Sequence, residues 1–85
     1  MIYYFVIEEN VSKIPAAYGT KYICKGGHRY KYGEYIPEHG YDNQHKAELE
    51  QNAAIRFHKT SLHKTNADVW KHYIETIDIN EKEQI

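Results

Sequence analysis

The sequence predicts an α+β fold: a small three-stranded, mainly antiparallel sheet followed by two helices packed on one face, in the chain order β-β-β-α-α. Three stretches carry this expectation. Ile2 to Glu8 places apolar residues on both faces of an extended chain, which suits a central strand. Gly26-Gly27 separates two strand-like runs and suits a two-residue hairpin loop, because glycine reaches the positive φ of a primed turn without a Cβ clash. Val69, Trp70, Tyr73, Ile74 and Ile77 recur at helical spacing and form the clearest apolar stripe in the chain.

Taken in order, the strand at the start is followed by a connection from Asn10 to Gly19, with a helical turn expected at Pro15-Ala16-Ala17. In the hairpin, Lys25 then faces His28, Cys24 faces Arg29, Ile23 faces Tyr30, Tyr22 faces Lys31 and Lys21 faces Tyr32. Strand alternation gathers Lys21, Ile23, Lys25, His28, Tyr30 and Tyr32 on one face, and Tyr22, Cys24, Arg29 and Lys31 on the other. Pro37 ends the third strand because it has no N–H to give to a ladder. Asp42 is the expected N-cap of a helix running from about Asn43 to Lys59, with Leu49, Ala53 and Phe57 as its packing stripe and Ala47 and Ala54 beside them. Thr65 and Asp68 resemble a capping box opening the second helix, which is expected to supply much of the core. Ile77 to Ile79 frames either a short fourth strand or the start of a frayed tail over 80–85.

An 85-residue chain makes one domain, here 1–85, and at this size folding buries only about 60 to 65% of the chain's surface. A deep ligand cavity is not expected. The single cysteine excludes an internal disulfide and a cysteine-rich zinc site, and no apolar run is long enough for a membrane span. The opening MIYYFVIEEN lacks the basic start and small-residue cleavage site of a secretory leader, so a reducing cytoplasm is the expected compartment.

Charge is near balance overall but uneven. Residues 13 to 31 hold Lys13, Lys21, Lys25, Arg29 and Lys31 without an acid, which favours an anionic partner for the middle of the chain. Interleaved tyrosines and cations on a sheet surface can stack bases and neutralise phosphates. The candidate contact residues for nucleic acid or a partner protein are therefore Lys21, Lys25, His28, Arg29, Tyr30, Lys31 and Tyr32. The plainer alternative is that tyrosine is a good strand former and lysine solvates a sheet edge.

Six histidines invite a metal reading, but no i, i+4 pair occurs among His28, His39, His45, His58, His63 and His72. No metal site and no cofactor are expected, and a chelator is expected to change nothing. No catalytic residue is assigned either. His28 beside Arg29 is the first place to look for a metal-free, histidine-dependent nuclease.

The run NVSKIPAAYGTKYICKGGHRYKYGEYIPEHGYDNQHKAELEQNAAIRFHK, in its lysine-and-tyrosine texture and its lack of an enzyme motif, resembles the small host-takeover and counter-defence proteins of T-even bacteriophages. The resemblance implies a non-enzymatic, antitoxin-like inhibitor in the cytoplasm of an infected bacterium. Its partner would be a host or defence protein such as a toxin endoribonuclease, with RNA contributing. The resemblance carries no residue roles. A nucleic-acid-binding regulator and the small nuclease are the alternatives, and spare sheet edges leave room for a homodimer.

Overall fold

The computed structural model describes residues 1–11, 19–60 and 70–79. Their elements are β1 (Ile2–Asn10), β2 (Lys21–Lys25), β3 (His28–Lys31), a 3-10 turn (Pro37–His39), α1 (Gln44–Thr60) and β4 (Trp70–Asp78). The four strands form one antiparallel sheet in the order β3-β2-β1-β4. The helical turn expected at Pro15-Ala16-Ala17, the Thr65 and Asp68 start, Val69 and the tail over 80–85 lie outside the described residues.

β1 is central, as its two apolar faces require. It pairs with β4 from Ile2↔Asp78 to Asn10↔Trp70 and with β2 from Val6↔Cys24 to Glu9↔Lys21. Where β2 has turned away, Tyr41 takes its place beside Tyr4 through reciprocal backbone bonds of 2.8 and 2.9 Å. The hairpin has the register its double glycine implies, from Tyr22↔Lys31 to Lys25↔His28, with Gly26 and Gly27 at φ of 60° and 81°.

The expected three strands and two helices are overturned at the end of the chain. Trp70–Asp78 is a nine-residue strand, and α1 is the one helix among the described residues. The same apolar residues satisfy both periods: Trp70, Ile74 and Thr76 share one strand face, and Tyr73 and Ile77 the other. Two effects decide for the strand. Trp, Tyr, Ile and Thr favour a pleated, half-buried surface. β1 would also leave an apolar, unpaired edge without a second neighbour. Of the short strand expected at Ile77 to Ile79, Ile77 and Asp78 are the end of this longer one, and Ile79 follows it.

Two apolar clusters lie on opposite faces of the sheet. On the face under α1, Val6 and Cys24 meet Ala47, with Tyr4, Tyr41 and Ile74 around them. The other face holds Tyr3, Phe5, Ile7, Ile23 and Ile79, ringed by Tyr30, Tyr32, Tyr35, Tyr73 and Ile77. No helix covers it. A strap over residues 32–41 covers much of it instead, setting Tyr35 and Phe5 edge to face with centroids 5.0 Å apart. Tyr32 and Tyr35 both donate their hydroxyls to the Glu75 carboxylate on β4, and His39 stacks on Tyr30 at 3.9 Å. Gly40 is required by space: a Cβ there would stand 2.7 Å from Phe5 Cε1, so a larger residue would push the strap off the ring.

α1 is capped one residue later than expected. Asn43, not Asp42, accepts from the His45 N–H at 2.7 Å, while Asp42 pairs with Lys46 at 3.3 Å. Its packing face is also rotated. Ala47, Gln51, Ala54, Ile55 and His58 turn toward the sheet, while Leu49 and Phe57 are 57% and 65% exposed. Small Ala47 allows close approach, and the inward polar residues find partners there: Gln51 donates to the His72 carbonyl at 3.0 Å.

Candidate functional site

Alternation along β1 puts Glu8 on the same face as Tyr4 and Val6, where its carboxylate is 2% exposed. A lone carboxylate so placed would be costly, and four side chains turn toward it. His58 Nε2 from α1 lies 2.6 Å from Oε1, and His72 Nε2 from β4 lies 3.3 Å from the same oxygen. Arg29 Nε donates to Oε2 at 2.6 Å, and the Cys24 thiol approaches Oε2 at 3.5 Å.

The topology makes these meetings. His72 is the β4 partner of Glu8, and Arg29 is paired with Cys24 across β2–β3 on the same face, so its side chain reaches back across β2. α1 packs on β1 and β4, which lowers His58 onto the carboxylate. Trp70 braces the group. Its ring stacks with His58 at 6.4 Å and lies 4.8 Å from the Arg29 guanidinium carbon, which also sits 5.5 Å from the Tyr22 ring. His58 Nδ1 is buried without a hydrogen-bond partner among the described residues, so the ring's hydrogen bonding there is through Nε2.

Burial pushes the Glu8 carboxyl up, but hydrogen bonds from His72, Arg29 and His58 outweigh it and hold the group down at about 2. The Cys24 thiol is pushed up to about 12, by burial first and then by the neighbouring Glu8 charge. A carboxylate so stabilised is a weak base, and a thiol so placed is a poor nucleophile.

Among the described residues α1 packs chiefly on β1 and β4 rather than on the adjoining hairpin surface. A cleft of about 700 Å³ lies between them, with Ala53, Ala54 and Phe57 on the helix side and His28 and Arg29 on the hairpin side. Glu8 and His58 reach its foot.

The seven contact residues expected from the sequence do not share one surface. Lys21 sits over Tyr32 at 5.0 Å, Lys25 donates to the Gly40 carbonyl at 2.6 Å, Tyr30 lies against His39, and Tyr32 is bound to Glu75. These four serve the strap. His28, Arg29 and Lys31 are exposed, and His28 and Arg29 border the cleft. Glu8, Cys24, His58 and His72 went unassigned in the sequence. The available signal was Glu8 itself, an acid following Ile2, Tyr4 and Val6 on one face of a central strand.

The chain matches no known family model, and it has no significant match among curated proteins or solved structures. No helix among the described residues is long and apolar enough to cross a membrane.

Proposed function

We propose that the protein works by binding, as a non-enzymatic, antitoxin-like inhibitor of a host or defence protein such as a toxin endoribonuclease, with RNA contributing to the contact. The observation that carries this reading is the cleft between α1 and the hairpin. Its apolar wall ends in a Phe57 ring that is 65% exposed, and the opposite wall carries His28 and Arg29, with Lys31 exposed on the same strand. An exposed ring can take a base or a partner's apolar side chain, and Lys31 can neutralise phosphate or an acidic surface. The chain's texture resembles the T-even phage counter-defence proteins, and among them the ToxN inhibitor TifA. The corresponding site of action is the cytoplasm of an infected bacterium.

The cluster of Glu8, His58, His72 and Arg29 beside a cleft favours a second reading, a small histidine-dependent nuclease. One experiment separates the readings: capture from bacterial lysate on the immobilised chain, with and without nuclease treatment, alongside incubation of the pure chain with RNA. The inhibitor reading predicts one defence protein retained after RNA is removed. Retention of RNA alone would replace it with a nucleic-acid-binding regulator. RNA cleavage that stops in His58→Gln would replace it with the nuclease.

A further inference from the structure

The geometry points to a divalent transition-metal site formed by Glu8, His58 and His72, with a coordination position directed toward the cleft. The three come from β1, α1 and β4, and their ligand atoms all lie within 4.8 Å of one another. Two imidazoles and one carboxylate are a donor set that suits zinc and its neighbours in the first transition row, not magnesium or calcium, which take oxygen ligands.

The distances are close to what a metal would need. With metal–nitrogen and metal–oxygen bonds of about 2.0–2.1 Å, tetrahedral ligand atoms stand about 3.3 Å apart. His72 and Glu8 are already 3.3 Å apart. His58 stands 2.6 Å from Glu8, so its ring needs to retreat by roughly 0.7 Å. Both nitrogens are aimed at the same oxygen, Oε1, so an ion would enter among these three atoms by replacing the two hydrogen bonds.

The surroundings also fit. Metal-bound carboxylates are commonly oriented by hydrogen bonds to their other oxygen, and here Arg29 Nε and the Cys24 thiol occupy Oε2, leaving Oε1 for the ion. Coordination through Nε2 needs no net loss of a proton from a neutral imidazole, only the tautomer with the proton on Nδ1, which in His58 is buried without a hydrogen-bond partner among the described residues. The cleft reaches Glu8 and His58, so water or an oxygen of a bound ligand can complete the shell. Such a metal would clamp α1 to the two long strands at the foot of the contact surface. This inference does not rest on the binding function proposed above.

The test uses the full chain, purified without a histidine tag and stripped with chelator. Zinc chloride is added and binding followed by calorimetry, and cobalt chloride is added and its visible absorption recorded. The expected result is one zinc per chain, a cobalt spectrum of low-coordinate type that zinc abolishes, and affinity lowered at least about tenfold in His72→Ala and in His58→Ala. His45→Ala, on the exposed start of α1, should leave binding unchanged. Should the site variants unfold, the imidazole ¹⁵N shifts of the wild-type chain decide: those of His58 and His72 should move on adding zinc and that of His45 should not. Absence of stoichiometric zinc, unmoved His58 and His72 shifts, or full affinity in folded His58→Ala and His72→Ala would overturn the site.

Discussion

Phe5→Ala is expected to destabilise the domain by about 3–5 kcal/mol, the range for removing a fully buried aromatic ring from a core that cannot collapse onto the gap. Phe5 is 0% exposed in the middle of the central strand. Its ring packs edge to face with Tyr35 and lies against the bare Cα of Gly40, so the truncation empties the space beneath the strap. For a chain of this size, total stability is about 4–13 kcal/mol, and the loss would consume a large share of it. Urea denaturation followed by circular dichroism measures it. A midpoint shift worth less than about 1 kcal/mol would show that the strap does not pack on the ring.

Replacing Glu8 is expected to have an effect of similar size for a different reason. Glu8→Ala removes the acceptor that His58, His72 and Arg29 share, leaving donors that are largely buried on two of the three, and breaking such a buried group costs about 3–5 kcal/mol. The charge can be tested separately from the shape. The folded carboxyl is held at about 2 against an ordinary 4.5, so the folded state binds its proton less readily than the unfolded chain. Its contribution is therefore complete above about pH 4.5 and is lost as the pH falls toward 2, amounting to about 3 kcal/mol. Stability of the wild type, measured in urea from pH 6 downward, should fall through that window. Glu8→Gln should start lower and fall less. Parallel profiles for the two proteins would show that Glu8 is not the group responsible.

Local signals in the sequence were enough for β1, for the hairpin and for α1, because each depends on neighbours in the chain: two-sided apolar alternation, a double glycine, and a polar cap ahead of an alanine-containing helix. Trp70 to Ile77 misled because its apolar residues fit both a helical and a strand period. The choice was made by β1, more than sixty residues away, whose second edge needed a partner. The strap was hidden for a related reason: Tyr32, Tyr35 and Gly40 carry no apolar periodicity, and their purpose appears only against Phe5 and Glu75. The site followed the same division. Arg29 and His28 were found because the hairpin is local. Spacing along one helix cannot join His58 to His72, because the structure brings them together across a helix and a strand onto Glu8.

The central claim is that the surface between α1 and the hairpin is the contact face, and it is tested most directly by substituting its exposed members and repeating the lysate capture. Lys31 is exposed and outside the Glu8 network, and Phe57 is 65% exposed and meets that network only through an edge contact with the His58 ring at 5.7 Å, so Lys31→Ala should melt like the wild type and Phe57→Ala close to it. Phe57→Ala should lose the captured protein whether or not RNA is present. Lys31→Ala should weaken capture chiefly when RNA is intact, and should flatten its salt dependence, because fewer counterions are released. Undiminished capture by a folded Phe57→Ala/Lys31→Ala double variant would contradict the account and place the contact elsewhere on the molecule.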